Sequence, residues 1–495
     1  MKSFLAKLHV PDWLVIVLAV VLVLRIPSFF EPFSYGDEMI YLTLGEGMRQ
    51  GLTLYKDIYD NKPPLLYLLA ALAGNVFWFK AILAFWNVGS IILFWKLSQA
   101  LFPNKLKLQR TGTVIFAFLT TLPLLEGHIA NAEIFMLGPI IAAFLILFTR
   151  KLNFANIFGA GALFGIATLF KVPVAFELPV IIVYWAITAG FKGGDLRIIF
   201  RRSLYLIAGF LAPIALTLVW FLFAGALKDY IQAAFLQNIG YLSSWRPTDV
   251  AKPFFARNLP LIIRGAVVVA GLVVLFLKRS KLSNKFIFLT IWVLFALFAI
   301  TLSERPYPHY LFQVVAPTSF LFAILISEKT LEQSLTIIPL FLVFFVPFFY
   351  KFWYYSTSAY YARFLKFALG QTSKDAYFGS FGRQVPRNYQ IADFVISSTR
   401  PREKIFVWGP DSSAVYALSR RLPPGKYVAD YHITDFSSKK DELKVLEASL
   451  PKFIIILPNA PNFSEVIPLL RKSYMQISNI DGAEIWRLRS STKTP

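Results

Sequence analysis

The sequence contains no cysteine and only four histidines among its 495 residues. The absence of cysteine excludes disulfide bonds, thiolate catalysis and cysteine-based metal sites, although it does not fix the cellular compartment. Charged residues are also scarce, at 16% of the chain, whereas soluble domains contain about a quarter. Because 57% of the residues are hydrophobic and 17% are aromatic, the composition indicates a membrane protein. The sequence shows no internal repeat and no low-complexity segment.

The formal net charge is +22, which in a soluble protein would suggest a nucleic-acid partner. Here the basic residues lie mostly between apolar runs, where Lys and Arg determine the orientation of a membrane protein. The sequence therefore predicts the lipid bilayer as a partner and no nucleic acid.

Eleven apolar windows have the length of a membrane span, and the sequence predicts about 11–13 spans. The windows are 13–30, 82–102, 111–125, 132–149, 155–170, 174–190, 203–226, 260–277, 286–302, 310–327 and 334–350. The first window resembles a signal peptide, but no small-residue cleavage site follows it. We therefore expect it to be retained as the first span.

A further apolar stretch, 64–79, is shorter and starts with two prolines. If it does not cross the membrane, the basic loops 105–110, 150–151, 192–202 and 278–285 all share the side of the N-terminus. The positive-inside rule favours this arrangement, with a cytoplasmic N-terminus in the plasma or inner membrane. The predicted outer face then collects 31–81, 126–131, 171–173, 227–259 and 303–309.

The composition changes after residue 350, and we predict three regions. They are a membrane domain at 1–350 with the outer loop 31–81, an interfacial aromatic connector at 351–385, and an extracytoplasmic α/β domain at 386–495. In the last region the pattern predicts helices at 387–399, 411–420, 438–449 and 462–473 and strands at 404–408, 426–429 and 453–457. It also predicts a hairpin of 474–479 with 483–489 that turns at Asp481 and Gly482. This alternation indicates a small, mainly parallel sheet covered by helices. The predicted fold class is thus a multi-pass α-helical membrane protein with a small C-terminal α/β domain.

The acidic pair Asp37 and Glu38 follows the first span and precedes a helical stretch that Gly45 and Gly47 would interrupt. One interpretation is a polar loop that caps an interfacial helix, with Asp37 as its N-cap. The other is a functional site, because a carboxylate at a helix N-terminus stays ionised and could act as a general base. Such a carboxylate could equally bind a divalent cation.

Several cations lie in the other predicted outer loops. Lys62 could contact an anion at the start of the 64–79 helix, or snorkel from a proline turn. Lys171 has the same two interpretations. Arg305 suits bidentate contact with a phosphate, and His309 could bind phosphate or a metal, or satisfy local hydrogen bonds.

Glu133 lies inside apolar sequence, where a carboxylate needs a partner, although a capping or packing role is an alternative. His128, Gln313 and Tyr59 are further candidates near these loops. Together the carboxylates and cations form a layout suited to deprotonating an acceptor while holding a phosphate leaving group.

The order of these short motifs resembles the polytopic family 39 glycosyltransferases, the type that includes protein O-mannosyltransferases, bacterial aminoarabinose transferases and Rgt-like members. The matching stretches cover most of the chain: Gly36–Met39, Asn61–Tyr67, His128–Glu133, Leu169–Pro173, Arg305–Tyr310, Val407–Gly409 and Val415–Arg420.

The resemblance implies a GT-C fold and an enzyme that transfers a hexosyl or pentosyl group, with inversion, from a polyprenyl-phosphate donor to a hydroxyl acceptor. It implies that Asp37 is the catalytic base and Glu133 the second acidic residue of the site. Glu38, beside Asp37, is a further catalytic candidate. Some relatives have Asp at the position of Glu133. The implied contacts to the donor phosphate are Lys62, Lys171, Arg305 and His309. A divalent metal is a candidate cofactor, with Glu38 and His309 as candidate ligands.

Two other functions compete with this hypothesis. A lipid or glycan transporter would carry polar residues and broken helices near mid-membrane, often in paired halves, and this sequence shows neither clearly. A non-catalytic envelope-assembly protein would not need the intact acidic pair. The sequence therefore favours a transferase, and it does not identify the sugar or the acceptor.

Overall fold

The computed structural model describes residues 10–190, 193–240 and 253–489. Lys192 of one predicted basic loop and residues 241–252 of the predicted outer loop 227–259 lie outside this part. The helices, in chain order from α1 to α23, are Asp12–Arg25, Gly36–Arg49, Leu65–Ala73, Val76–Leu101, Leu106–Leu119, Ala132–Thr149, Phe154–Thr168, Leu178–Ala189, Gly193–Phe223, Leu227–Ile231, Gln237–Gly240, Phe254–Lys278, Asn284–Thr301, Phe312–Ser327, Leu331–Leu335, Ile337–Phe349, Thr357–Ala368, Lys374–Gly379, Gln384–Ser398, Ser412–Ser419, Asp430–Phe436, Lys439–Ser449 and Ile467–Ser473.

Short 3₁₀ and π-helical turns lie between the α-helices. Five are 3₁₀ turns within the described ranges: Ile26–Phe30, Pro123–Leu125, Val172–Glu177, Pro308–Leu311 and Ser464–Val466. A π-helical turn lies at Gln232–Leu236. The strands β1 to β4 are Ile405–Trp408, Phe453–Ile456, Tyr474–Ile480 and Ala483–Leu488.

In the described part of the chain, nine helical segments are long and apolar enough to cross a membrane: Asp12–Phe30, Val76–Leu101, Ala132–Thr149, Val172–Ala189, Gly193–Phe223, Phe254–Lys278, Asn284–Thr301, Pro308–Ser327 and Leu331–Phe349. The other two predicted spans correspond to α5 and α7, which have 14 and 15 residues. The multi-pass helical class is confirmed, and nine segments reach full span length where eleven were expected.

The stretch 64–79 does not form one helix. Helix α3 has nine residues and ends at Ala73. The next residue, Gly74, has a φ of 71° in the left-handed region, and α4 begins at Val76. Nine residues of α-helix extend only about 13 Å, much less than the hydrocarbon thickness of a bilayer. This length agrees with a segment that does not cross the membrane.

The chain divides into two compact units. One, which we call the span unit, comprises Met1–Ile26, Ala81–Trp220 and Ala234–Tyr360. The other, which we call the sheet unit, comprises Pro27–Lys80, Phe221–Ala233 and Tyr361–Pro495. The first predicted outer loop therefore groups with the C-terminal residues.

The span unit is a helical bundle with an aromatic and aliphatic interior. Phe94 of α4 stacks between Phe116 of α5 and Phe320 of α14, at centroid distances of 4.3 Å to each ring. Helices α6 and α7 pack along each other, as do α5 and α14. Phe144 of α6 and Trp292 of α13 add a further buried aromatic contact. Such all-round apolar helices suit a membrane environment.

The sheet of the second unit has the order β1-β2-β4-β3, and only β1 and β2 run parallel. Strand β4 is antiparallel to both β2 and β3. The predicted mainly parallel sheet is therefore wrong, because the C-terminal hairpin inserts β4 beside β2. The hairpin itself turns at Asp481 and Gly482, as predicted.

The predicted strand 426–429 is also wrong. Tyr427 forms only an isolated bridge with Tyr59 of the first loop, and the Tyr59 amide donates to the Lys426 carbonyl at 2.9 Å. The β-forming residues of this segment thus pair with a distant part of the chain. This bridge and this hydrogen bond to the first loop form in place of the strand that the local pattern predicted.

Helix α2 packs on α3 and on α20 within the sheet unit. It runs unbroken through Gly45 and Gly47, so these glycines do not interrupt it. A Cβ at Gly45 would lie 2.6 Å from the backbone nitrogen of Ala71, which explains why glycine is needed there. The Thr43 hydroxyl donates to the Ser413 carbonyl at 3.3 Å, which joins α2 to the start of α20.

Candidate active site

The candidate base Asp37 lies in the first turn of α2, whose N-cap is Tyr35. Asp37 is therefore not the N-cap itself. Its carboxylate accepts hydrogen bonds from the Tyr41 hydroxyl at 2.9 Å and from the Lys62 ammonium at 3.3 Å. The side chains of Asp37 and Lys62 are 34% and 26% exposed, so a substrate can reach both. The helix dipole and the lysine both favour the ionised carboxylate.

Aromatic side chains hold Lys62 in place. The Lys62 amide donates to the Tyr67 hydroxyl at 3.2 Å, and the Tyr55 hydroxyl donates to the Lys62 carbonyl at 2.8 Å. The Lys62 ammonium also lies 4.8 Å from the centroid of the Tyr41 ring. Burial and the neighbouring Asp60 raise the pKa of Tyr67 well above its ordinary value, so its hydroxyl stays protonated. The backbone of the lysine is thus fixed on both sides.

Glu38 occupies a different environment from its neighbour Asp37. Its carboxylate lies 2.8 Å from the Lys80 ammonium, which also contacts Glu31 at 3.0 Å. The side chains of all three residues are at most 4% exposed. A carboxylate buried and paired in this way is inaccessible to an acceptor, and loss of its partner would leave an uncompensated buried charge. This placement favours Asp37 over Glu38 as the base.

A second polar cluster lies in the span unit, where three helical segments begin. Glu133 in the first turn of α6 lies 2.5 Å from the Lys171 ammonium and 3.6 Å from Nε2 of His309. Lys171 also lies 3.5 Å from the centroid of the Tyr310 ring. The structure therefore brings together Glu133, Lys171 and His309, which were predicted from separate loops. Glu133 has the partner that a buried carboxylate requires.

Glu126 joins this cluster, although the sequence did not predict it as a site residue. Its carboxylate contacts Nδ1 of His309 and accepts a 3.5 Å hydrogen bond from the Asn131 amide. The residue is fully buried and has a φ of 63°, which is uncommon for a residue other than glycine. Backbone strain of this kind persists only where surrounding contacts hold it. Glu126 thus orients the His309 ring toward Glu133.

The remaining predicted residues take separate positions. Gln313 donates to Glu177 at 3.0 Å and to the Pro173 carbonyl at 3.4 Å, so it ties α14 to the turn after Lys171. His128 packs on the rings of Tyr355 and Tyr360. Arg305 is exposed, and its amide donates to the Ser303 hydroxyl at 3.4 Å.

Tyr59 belongs to the sheet unit and packs on Tyr427, Phe436 and His432. Burial, Asp60 and Tyr427 raise its pKa far above the ordinary value. Burial lowers the pKa of His432, against an opposing effect of Asp60, so its imidazole is neutral at pH 7.

The buried charged residues Lys80, Glu126 and Glu177 are among those that the sequence analysis missed. Lys80 interrupts the apolar sequence of α4, and Glu177 interrupts that of Val172–Ala189. An ionisable residue within a span was the available signal, because it must find a partner or a functional use. No local pattern pointed to His432, which contacts Asp60 only through the tertiary fold.

The two candidate metal ligands, Glu38 and His309, contact other charged side chains in the structure. Glu38 is paired with Lys80, and both ring nitrogens of His309 face glutamates. Across the ranges that the structure covers, no group of three or more His, Asp or Glu side chains could hold an ion. Metal dependence stays a prediction, which titration with a chelator would test.

The backbone resembles solved membrane transferases. ArnT from Cupriavidus metallidurans, an aminoarabinose transferase crystallised with undecaprenyl phosphate, matches with a TM-score of 0.57 and 16% identity over 98% of this chain and 100% of that chain. The apo state of the same protein matches with a TM-score of 0.55 and 16% identity over 96% and 97% of the two chains. The chain has the GT-C fold.

No protein-family model and no curated protein matches the sequence. The predicted GT-C fold is nevertheless confirmed by the structural match, which extends over nearly the whole chain. A GT-C fold establishes the architecture, whereas the chemistry depends on the residues at the site.

Proposed function

We propose that this GT-C protein is a membrane glycosyltransferase that moves a sugar from a polyprenyl-phosphate donor to a hydroxyl acceptor. The observation that carries the proposal is the partly exposed pair of Asp37 and Lys62 at the start of α2. A carboxylate and a cation in this arrangement can act on an acceptor proton and on a departing phosphate. ArnT has the same fold and was crystallised with undecaprenyl phosphate, which supports a lipid-linked donor.

In the proposed reaction the Asp37 carboxylate removes the proton of the acceptor hydroxyl. The hydroxyl oxygen forms a bond to the anomeric carbon of the sugar, while the bond from that carbon to the phosphate oxygen breaks. The electron pair leaves with the polyprenyl phosphate, and the Lys62 ammonium stabilises its added negative charge. A single displacement of this kind inverts the anomeric configuration.

The remaining proposed residues belong to the span unit. Glu133 is the proposed second acidic residue, and Lys171, Arg305 and His309 are the proposed further contacts to the donor phosphate. Lys171 is already paired with Glu133, so a bound phosphate would compete for its ammonium. Because Glu126 contacts Nδ1 of His309, the orientation of this ring is preorganised.

We place the reaction at the outer face of the plasma or inner membrane, with a cytoplasmic N-terminus and an extracytoplasmic C-terminal domain. The basic loops support this orientation through the positive-inside rule. The acceptor class is a hydroxyl of a glycan, a lipid or a protein, and the transferred group is a hexosyl or pentosyl sugar.

The Asp37→Asn substitution tests the proposed base. We expect transfer from native polyprenyl-phosphate sugars, in membranes containing the full chain, to fall by about 10²–10⁴-fold, the usual range for a general base. The variant should be expressed normally and should still bind undecaprenyl phosphate, since Lys62 remains. Full activity in the variant would refute the assignment.

Asp57→Asn is the matched control for this experiment. Asp57 is exposed in the same loop, and its carboxylate accepts a hydrogen bond from the Thr53 amide at 2.8 Å. We expect this variant to retain activity.

Mass spectrometry of lipids that copurify with the wild-type protein would identify the donor to be used.

A further inference from the structure

A histidine from the C-terminal part of the chain lies against the loop that carries Lys62. Nε2 of His432, in α21, is 3.5 Å from Oδ1 of Asp60, and both residues are buried within the sheet unit. The Nδ1 atom of His432 has no hydrogen-bond partner among the described residues. The polar contact of this imidazole is therefore directed at Asp60.

The backbone and the aromatic rings around His432 bring the two segments together. The Tyr59 amide donates to the Lys426 carbonyl at 2.9 Å, which fixes the residue before Asp60. The ring of Tyr59 packs on His432 at a centroid distance of 6.1 Å, and Phe436 packs on His432 at 5.8 Å. The histidine is thus held in place by α21 and by the first loop.

Asp60 is connected to Lys62 through one hydroxyl group. The Tyr67 hydroxyl donates to Oδ2 of Asp60 at 2.8 Å and accepts from the Lys62 amide at 3.2 Å. The other oxygen of Asp60 accepts from the Asn61 amide at 2.7 Å. Any shift of the Asp60 carboxylate would move Tyr67 and, with it, the backbone of Lys62.

We propose that His432 is a positioning residue that holds Asp60 and thereby fixes Lys62 in its contact with Asp37. In this arrangement the neutral imidazole carries its proton on Nε2 and points it at the Asp60 carboxylate 3.5 Å away. The Tyr67 hydroxyl, which bonds both Asp60 and the Lys62 amide, links this contact to Lys62. The C-terminal domain thereby shapes the Asp37–Lys62 pair without touching a substrate. The positioning itself is independent of the proposed glycosyl transfer, whereas its effect on donor binding rests on that function.

Two substitutions separate this role from simple packing. His432→Phe keeps an aromatic ring against Tyr59 and Phe436 but removes the donor. His432→Gln loses the ring but can place its amide nitrogen near the position of Nε2. If His432 acts as a donor, Gln preserves its effect and Phe does not. If the ring only packs, Phe preserves the effect and Gln does not.

The first measurement needs no substrate. The full-length protein is treated with acetic anhydride, and acetylation of Lys62 is followed by mass spectrometry, with the exposed Lys56 of the same loop as internal control. A lysine released from its carboxylate partner reacts faster. We expect His432→Phe to accelerate acetylation of Lys62 about tenfold, the scale of one hydrogen bond to a charged group, and Lys56 to be unaffected.

The second measurement is binding of undecaprenyl phosphate to the same variants. We expect His432→Phe to weaken binding about tenfold in the wild-type background and to have no further effect once Lys62→Met is present, because both act through one residue. Tyr474→Phe, which removes a buried hydrogen bond to the Pro451 carbonyl, should leave both readouts unchanged.

The outcomes distinguish the two proposals. Unchanged Lys62 acetylation in His432→Phe, or a loss seen with Gln and not with Phe, would overturn the positioning role. Faster acetylation in a protein that binds no undecaprenyl phosphate would support the positioning role and contradict the lipid-phosphate function.

Discussion

At the scale of single residues, Lys80 shows how one charge can hold several segments together. Its ammonium lies between the carboxylates of Glu31 and Glu38, and the three side chains are at most 4% exposed. The net attraction within a buried ion cluster is modest, but removal of one partner leaves uncompensated charge in a medium of low dielectric constant. Loss of this lysine is therefore expected to destabilise the folded protein more than loss of an exposed charge.

We expect Lys80→Met to lower the free energy of unfolding by about 3–5 kcal/mol, measured by thermal unfolding of the solubilised full chain. Lys56→Met, at an exposed position, is the control and should cost little. If the triple variant with Glu31→Leu and Glu38→Leu recovers the stability, the buried charges are the cause. An unchanged unfolding temperature in Lys80→Met would contradict the prediction.

Glu442 in α22 predicts a pH dependence. Burial raises the pKa of its carboxyl from an ordinary value of 4.5 to about 7, and its Oε1 has no hydrogen-bond partner in the described ranges. The folded protein therefore keeps this proton between about pH 4.5 and 7, where the unfolded chain releases it. The stability from this group is present below about pH 4.5 and is lost as the pH rises to about 7.

Glu442→Gln should remove that loss. We expect the variant to exceed the wild type in free energy of unfolding by roughly 3 kcal/mol at pH 8, with the gain disappearing near pH 4.5. Hydrogen exchange of the amides in strand β1 of the full chain, at both pH values, would measure this difference in the free energy of unfolding. Glu447→Gln, on the exposed face of the same helix, is the control. An equal gain at both pH values would exclude titration of Glu442 as the cause.

At the scale of elements, the contact of α2 with α3 leaves no room for a larger side chain at Gly45. Gly45→Ala would place a methyl group 2.6 Å from the Ala71 backbone nitrogen, so the helices must separate. We expect a loss of about 1–3 kcal/mol in stability, the usual cost of overpacking, together with reduced transfer because Asp37 moves with α2. Thermal unfolding and a transfer assay would measure the two effects.

Gly89→Ala in α4 is the matched control, because a Cβ there meets nothing within 4 Å. Alanine is the better helix former at an unobstructed helical position, so this variant should be at least as stable as the wild type. Equal behaviour of the two alanine variants would show that the α2–α3 contact is not tight.

The elements also show what local sequence could predict. Long apolar windows and the Asp-Gly turn gave correct helices and a correct hairpin, because these patterns depend on near neighbours. The strand at 426–429 and the breaks at Gly45 and Gly47 were wrong because distant segments decide them: Tyr59 pairs with Tyr427, and α3 packs on Gly45. Tertiary contacts override local propensity at such positions.

At the scale of the whole molecule, the orientation in the membrane follows from charge and can be tested directly. Reporter fusions at residues 106 and 400 should lie on opposite sides, with 106 cytoplasmic and 400 outside. A cytoplasmic reporter at 400 would contradict the proposed placement of the reaction. Wild-type transfer activity in each fusion would confirm that the fused chain folds.

The candidate site was predictable only in part. Buried charge demands a partner, and this argument alone anticipated a contact for Glu133, which Lys171 supplies. The different environments of Asp37 and Glu38 could not be predicted. Glu38 is buried against Lys80, which lies 42 positions after it in the sequence. The contact of His432 with Asp60 could not be predicted either, because most of the sequence lies between these two residues.

The hydrogen bond from Thr43 to Ser413 joins residues 370 positions apart. At a synthesis rate of about 5–20 residues per second, α2 would therefore wait roughly 20–70 seconds for α20 to leave the ribosome. The bond from Tyr59 to Lys426 closes at a similar stage. The helix with Asp37 is among the first parts of the protein to be made and among the last to be completed, so a nascent chain would pass most of its synthesis without a finished Asp37–Lys62 pair.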